Sequence, residues 1–336
     1  MQGSSRRRFF EMSIAAAGLM LGSSGCGVFT TTAPVRQLPV LGYVGLGAPP
    51  ATGRNANFDA FVAGLSKLGW VDGQTLTLHS RLADGRTERI PEFVDELIRL
   101  PVDILVSSGA GGASAAAKAT STIPIIFASA ADPIGEGLVC SLARPCANVT
   151  GMSNLAEGLD GKRLELLQES IVGLTRVGVL WHRPSMLADF RRTEAAAQAM
   201  GIELLSMAVE DGNAIPAAFE AAIRDGVQAI VTVSNGLTAG ARGTIVELAN
   251  RHRLPAIYQT REFVEAGGLM SYGPNSADQH QRVAAYVDKI LKGAGPADLP
   301  VEQPTLFDLL INLKTAQALM LSIPQSVLGQ TTHTIQ

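Results

Sequence analysis

The chain has 336 residues, of which 17% are charged and 5% aromatic, and its formal net charge is −3. That balance leaves no basic footprint for nucleic acid and excludes that class of partner. Beyond the N-terminal segment, no apolar run approaches the roughly 18 residues that a membrane-spanning helix needs.

Residues 1–26 read as an export signal. Arg6, Arg7 and Arg8 precede Phe9 and Phe10, a short, weakly apolar run follows from Met12 to Leu21, and small residues lead to Gly25 and Cys26. A basic start, a short apolar stretch and small residues before a cut point mark export. The run is too short to stay in a bilayer about 30 Å thick. The arginine pair before phenylalanine is similar to a twin-arginine signal, an address read by a receptor. A signal that ends at a lone cysteine resembles a bacterial lipoprotein site, with Cys26 as the lipidated residue. Such sites usually carry leucine three residues before the cysteine, where this chain has Ser23. Both readings, lipoprotein or plain export signal, put the working protein outside the cytoplasm. Residues 27–37 form a linker, and the remaining length, about 300 residues, suits two lobes better than one core.

From residue 38 onward, short β-rich runs alternate with helical patterns. Strands are predicted at 40–46, 75–80, 103–107 and 124–129, then at 176–181, 203–208, 229–234 and 255–259. Phe58, Phe61, Val62, Leu65 and Leu68 make one helical stripe, stopped by Gly69. Ile90, Phe93, Val94, Leu97 and Ile98 make a second, with Pro91 in its first turn and Pro101 beyond its end. Val283, Val287, Ile290 and Leu291 make a late one before Gly293. Alternating strands and helices predict right-handed βαβ units and parallel sheets. The series runs twice, broken near residue 150. Three short β-like stretches, 147–151, 268–273 and 307–311, read as connectors between two Rossmann-like lobes. Several thin connectors that bend together make a hinged clam-shell.

Ligands of open parallel sheets bind beyond the carboxyl ends of the strands. Among those loops, residues 107–114 are glycine-rich and precede an Ala-rich helix. Ser108, Gly109, Ala110, Gly111 and Ser114 can present backbone N–H groups and a helix N-terminus to a carboxylate or phosphate. The same run, Gly109-x-Gly111-x-x-Ser114, nearly spells a dinucleotide fingerprint. It lacks the third glycine and follows the third strand instead of the first, and a plain glycine-rich turn also fits it. Loop 129–133 adds Ala130 and Asp132, the latter equally suited to capping a turn before Pro133. Loop 234–237 adds Asn235. Tyr258 and Arg261 face the same region from the second series. Arg261 suits either a bidentate carboxylate clamp or a loop ion pair with Glu262 or Glu265. Trp181, at the end of a strand, suits either a stacking face or a core-capping indole.

Catalytic constellations are thin. The five histidines show no metal spacing, and no serine sits in a G-x-S-x-G elbow. His182 and Asp189 are placed to meet in the cleft as an acid–base pair, though proximity in sequence is weak support for one. No cofactor or metal is called for. Cys140 and Cys146 lie close together in sequence and fit either a small disulfide loop in an oxidising compartment or two buried thiols.

Several ordered stretches then carry a resemblance. They are 128–133 (Ala-Ser-Ala-Ala-Asp-Pro), 141–145 (Ser-Leu-Ala-Arg-Pro), 148–151 (Asn-Val-Thr-Gly), 161–167 (Gly-Lys-Arg-Leu-Glu-Leu-Leu) and 176–181 (Arg-Val-Gly-Val-Leu-Trp). They continue with 253–258 (Arg-Leu-Pro-Ala-Ile-Tyr), the run 261–275 from Arg261 to Asn275, 286–293 (Tyr-Val-Asp-Lys-Ile-Leu-Lys-Gly), 298–304 (Asp-Leu-Pro-Val-Glu-Gln-Pro) and 311–316 (Ile-Asn-Leu-Lys-Thr-Ala). Together they resemble the extracytoplasmic substrate-binding proteins of ABC importers, the family that includes tryptophan- and tyrosine-type binders.

The resemblance implies a type I periplasmic-binding-protein fold, α/β, with three crossover strands. Lobe 1 would be 38–150 plus 274–305, and lobe 2 would be 151–273 plus 306–330. It implies a non-enzymatic, monomeric periplasmic receptor that passes an amino-acid-like or carboxylate solute to an ABC permease in the inner membrane. The carboxylate would lie toward 108–114 or Arg261, and the apolar part toward Trp181, Phe127 or Tyr258. Family members usually have small residues in place of Cys140 and Cys146, and more often Asn where this chain has His182. Two other functions remain open: a ligand-sensing partner of a membrane receptor, and an exported nucleotide-dependent oxidoreductase.

Overall fold

The computed structural model describes residues 38–47, 55–155 and 158–336. The export signal, Cys26 and the linker lie outside those residues. The first series comprises β1 (Val40–Gly45), α1 (Ala56–Lys67), β2 (Thr77–Leu82), α2 (Ile90–Ile98), β3 (Ile104–Ser107), α3 (Ala110–Ala119), β4 (Ile125–Ala130) and β5 (Val149–Ser153). The second begins with α4 (Leu159–Ser170), β6 (Arg176–His182), α5 (Leu187–Ala199), β7 (Glu203–Val209), α6 (Ile215–Arg224), β8 (Ala229–Thr232), α7 (Gly236–Gly240) and α8 (Arg242–Arg251). It continues with β9 (Ala256–Tyr258), α9 (Arg261–Glu265), β10 (Met270–Pro274), α10 (Ser276–Leu291), β11 (Phe307–Asn312), α11 (Leu313–Ala318), α12 (Gln325–Leu328) and β12 (His333–Ile335).

Two sheets result, each sandwiched by helices as βαβ crossovers require. The first has the order β2-β1-β3-β4-β5, every pair parallel. The second has the order β12-β11-β10-β9-β8-β6-β7 and is parallel except between β10 and β11. That one antiparallel pair departs from the all-parallel expectation. Its cause is the route of the chain. After β10 it leaves to form α10, which packs against the first sheet, and it re-enters the second sheet from the opposite end.

The predicted helices form for the predicted reasons. Asn55 caps α1 by accepting from Phe58 N at 3.1 Å, and Phe58, Phe61 and Leu65 are buried. Gly69 ends the helix with φ +85°, a left-handed conformation in which glycine is least strained. Asn275 caps α10 by accepting from Asp278 N at 2.8 Å. Val283, Ala284 and Val287 then share a core with Tyr43, Phe58 and Phe61. The α1–α10 contact is close at Gly64, where a Cβ would stand 2.8 Å from Gln281 O. The returning helix is therefore built into the first lobe.

Where the chain passes between the sheets, the connectors are tied to one another. Gln279 Nε2 donates to Ser153 O at 3.0 Å, and Thr150 Oγ1 donates to Leu299 O at 2.7 Å. Ser153 N donates to Glu302 O at 2.8 Å. Cys140 and Cys146 are joined by a disulfide, with Cα atoms 5.8 Å apart, in an irregular segment between β4 and β5.

Candidate functional site

The carboxyl ends of both sheets open onto two adjoining cavities, of about 530 and 320 Å³. They share walls formed by Leu46, Ser108, Gly109 and Ser129 from the first lobe and Ser234, Ala239 and Thr260 from the second. The larger cavity is polar at its rim: Asn55, Asn57, Asp84, Arg242, Arg261, Glu262, Glu265 and His280 line it. Tyr43 also reaches that wall, and burial pushes its phenol well above the usual range. The smaller cavity runs between α2 and α3 and is lined by Val44, Leu46, Ile90, Pro91 and residues 107–112. Glu136 and Asn235 supply polar groups there.

The glycine-rich loop shapes this smaller cavity. Gly109 occupies the N-cap of α3 with no side-chain cap, so the N–H groups of the first turn lack partners within the helix. Ser107 Oγ donates to Gly109 O at 2.6 Å and holds the turn. At Gly112 a Cβ would stand 2.4 Å from Ser107 Oγ, so a side chain there would push the helix off the strand. With the helix dipole, the unfilled donors favour an anion.

Of the sequence-predicted residues, Ser108, Gly109, Ala110, Gly111, Asn235 and Arg261 are brought together on these walls. Asn235 also caps α7, accepting from Thr238 N at 3.0 Å. Arg261 Nε donates to Glu265 at 2.9 Å, the ion-pair alternative. The others lie elsewhere. Ser114 is half-buried one turn further along α3, outside both linings, and Ala130 is buried within its strand. Asp132 caps a turn, accepting from Gly135 N at 2.9 Å.

Both aromatic candidates of the second lobe are core residues. Trp181 is 5% exposed, stacks on Phe190 at 4.7 Å and donates Nε1–H to Ser206 Oγ at 2.8 Å. Tyr258 is fully buried against Phe263 at 4.6 Å, and Phe127 is fully buried as well. The cause is that β4, β6 and β9 are interior strands covered by helices on both faces, so Phe127, Trp181 and Tyr258 pack inward. His182 Nδ1 pairs with Ser185 Oγ at 2.7 Å, while Asp189 pairs with Arg192. The suggested His182–Asp189 pair does not form.

Sequence reasoning missed Tyr43, Asn57, Glu136 and His280, and named Glu262 only as an ion-pair partner for Arg261. Asn57 Nδ2 donates to Glu262 Oε1 at 3.2 Å, a bond between α1 of the first lobe and α9 of the second. Burial raises Glu136 to about 7, helped by the nearby charges of Asp132 and Asp189 and opposed by a backbone hydrogen bond from Asp132. Burial lowers His280, against raising contributions from the Ser276 carbonyl and Glu262. A third, small cavity of about 40 Å³ near the crossovers is lined by Asn154, Asp160, Arg163, Asp189, Arg192 and Gln259. Arg163 is nearly fully buried there, bonded to Asp160 and to Tyr272 O at 2.9 and 2.8 Å. Among the described residues, no cluster of metal-ligating side chains occurs and no helix is long and apolar enough to cross a membrane.

Two α/β lobes with three crossovers and a ligand-sized cavity between their strand ends define the class of type I periplasmic binding proteins. Within that class, the model of the ABC transporter substrate-binding protein family matches residues 51–335, and the chain belongs to that family. A tyrosine-binding protein of Clostridioides difficile (strain R20291) is 22% identical over 261 residues, 77% of this chain and 75% of the relative. An ABC domain from Streptococcus pneumoniae solved in complex with L-Trp aligns with a TM-score of 0.79 and 26% identity, over 89% of this chain and 100% of that one. A conserved domain protein from Vibrio cholerae aligns equally well, with a TM-score of 0.79, 26% identity and the same coverage.

Proposed function

We propose that the protein is the extracytoplasmic solute-binding component of an ABC importer and captures an amino-acid-like or carboxylate ligand between its lobes. The observation that carries this reading is the paired cavity, whose walls come from the strand ends of both sheets. The ligand's carboxylate would lie against the uncapped first turn of α3 at Gly109–Gly111. Its apolar part would lie along Val44, Leu46 and Ile90, in place of the core residues Trp181, Phe127 and Tyr258. Relatives associated with tyrosine and L-Trp support the amino-acid class.

In this reading, lobe 1 is 38–150 plus 274–305 and lobe 2 is 151–273 plus 306–330. Contacts to both lobes favour the closed form, and a ligand shifts that equilibrium only by its difference in affinity for the two forms. Moving from 1% to 99% closed takes about 5.5 kcal/mol of difference. The closed monomer then docks on an inner-membrane permease. Export by a twin-arginine-like signal and lipidation at Cys26 would keep the protein in the periplasm at a membrane surface.

Thermal unfolding against a panel of amino acids, carboxylates, purines and sugars tests the reading. Binding at a thousandfold excess over Kd stabilises by about 4 kcal/mol, so amino acids or carboxylates should raise the midpoint by several degrees. A shift with nicotinamide or flavin nucleotides alone would overturn it.

A further inference from the structure

His280 occupies the second turn of α10, is 2% exposed and lines the larger cavity. Its Nδ1 lies 2.7 Å from the backbone carbonyl oxygen of Ser276. A carbonyl oxygen only accepts, so Nδ1 carries the hydrogen, and Nε2 of the neutral ring is left as a lone-pair acceptor. That Nε2 is buried and has no hydrogen-bond partner among the described residues. A desolvated acceptor in this state costs free energy until a donor arrives.

The surroundings specify which donor fits. Glu262 lines the same cavity, and its negative charge acts on His280. One Glu262 oxygen accepts from Asn57, and the adjacent cation Arg261 is engaged with Glu265. A neutral acceptor beside a carboxylate is matched by a group that both donates hydrogen bonds and carries positive charge.

We propose that His280 is a specificity-determining residue that accepts a hydrogen bond from a protonated amino group of the ligand, while Glu262 supplies the opposing charge. This rests on the cleft being the ligand site, and it deepens that reading by assigning the amino end of the ligand to the α10 side. The carboxylate end then falls on the opposite side of the shared wall, at α3.

Calorimetric titration of the full chain with four matched pairs tests the assignment. The amine-bearing probes are L-tryptophan, L-tyrosine, L-phenylalanine and L-leucine. Their desamino twins are indole-3-propionate, 3-(4-hydroxyphenyl)propionate, 3-phenylpropionate and 4-methylpentanoate. Wild type is expected to bind at least one amine-bearing probe about tenfold or more tighter than its twin, as sites built to pair a donor do. His280→Leu should lower that ratio several-fold, leaving only the part that the Glu262 charge supplies, and His280→Gln, which retains an acceptor oxygen, should keep most of it.

An unchanged ratio in a folded His280→Leu would overturn the assignment while leaving the cleft reading intact. Binding of none of the eight probes to wild type would bring down the amino-acid reading and the assignment together. If His280→Leu fails to fold, the nitrogen NMR shift of His280 Nε2 in wild type decides. It should move on adding the tightest amine-bearing probe and not on adding its twin, and equal movement would refute the role.

Discussion

Trp181→Ala removes an indole that is 5% exposed, stacked on Phe190 at an interplanar angle of 17° and hydrogen-bonded to Ser206. Burying an aromatic side chain of this size removes about 150–250 Å² from water, which at about 25 cal/mol per Å² corresponds to about 4–6 kcal/mol. A denatured chain that is already partly compact reduces that figure, and large-to-small aromatic substitutions in cores cost about 3–5 kcal/mol. Ser206 is exposed, so its hydroxyl returns to water and adds little. The expected loss is therefore about 3–5 kcal/mol. It is read from urea unfolding followed by circular dichroism, which does not depend on the lost fluorophore. At about 2–4 °C per kcal/mol for chains of 150–250 residues, the melting midpoint should fall by about 10 °C. Affinity for amino acids that stabilise wild type should be unchanged under conditions where the variant is folded. A variant within about 1 kcal/mol of wild type that has lost its ligand affinity would refute the placement of Trp181 in the core.

Gly64→Leu forces a side chain into the α1–α10 contact, where even a Cβ meets Gln281 O at 2.8 Å. Overpacking of this kind costs about 1–3 kcal/mol, measurable as a lower urea midpoint. Replacing both Cys140 and Cys146 with serine opens a short loop, and the chain-entropy relation gives a loss of about 2 kcal/mol. The same loss should follow reduction of wild type, with two more reactive thiols counted. Glu136 titrates at about 7 in the folded protein against 4.5 for the ordinary carboxyl. Between those values the folded chain holds a proton that the unfolded chain does not, so stability falls as pH rises from 4.5 to about 7 and levels off above it. Glu136→Gln should flatten the stability profile in that window, and an unchanged profile would show that another group sets it.

The parts of the fold that could be read in the sequence are those whose patterns are local. The stripes of α1 and α2, with their caps and glycine or proline stops, needed only neighbours in sequence. The antiparallel entry of β11 needed knowledge of where α10 packs, and β12 is only three residues long. In the cleft, the placement of the glycine-rich loop on a cavity wall was legible because it joins the carboxyl end of a parallel strand to a helix. Trp181 was ambiguous for a physical reason. Interior parallel strands are buried on both faces, as β6 is from Val177 to Trp181, so alternation does not reveal which way Trp181 points. His280 was invisible because its role depends on how α10 is rotated against a lobe that precedes it by more than a hundred residues. The one legible signal was its position just after the Asn275 cap, which places it near a helix start.

Hydrogen exchange of the full chain, with and without the panel compound that stabilises it most, tests the cleft most directly. Binding across the lobes predicts new protection in the opening of α3 around 107–112 and, at the same ligand concentration, around 234–242, 259–265 and 276–280. Protection confined to one lobe, or lying away from these segments, would contradict capture between the two.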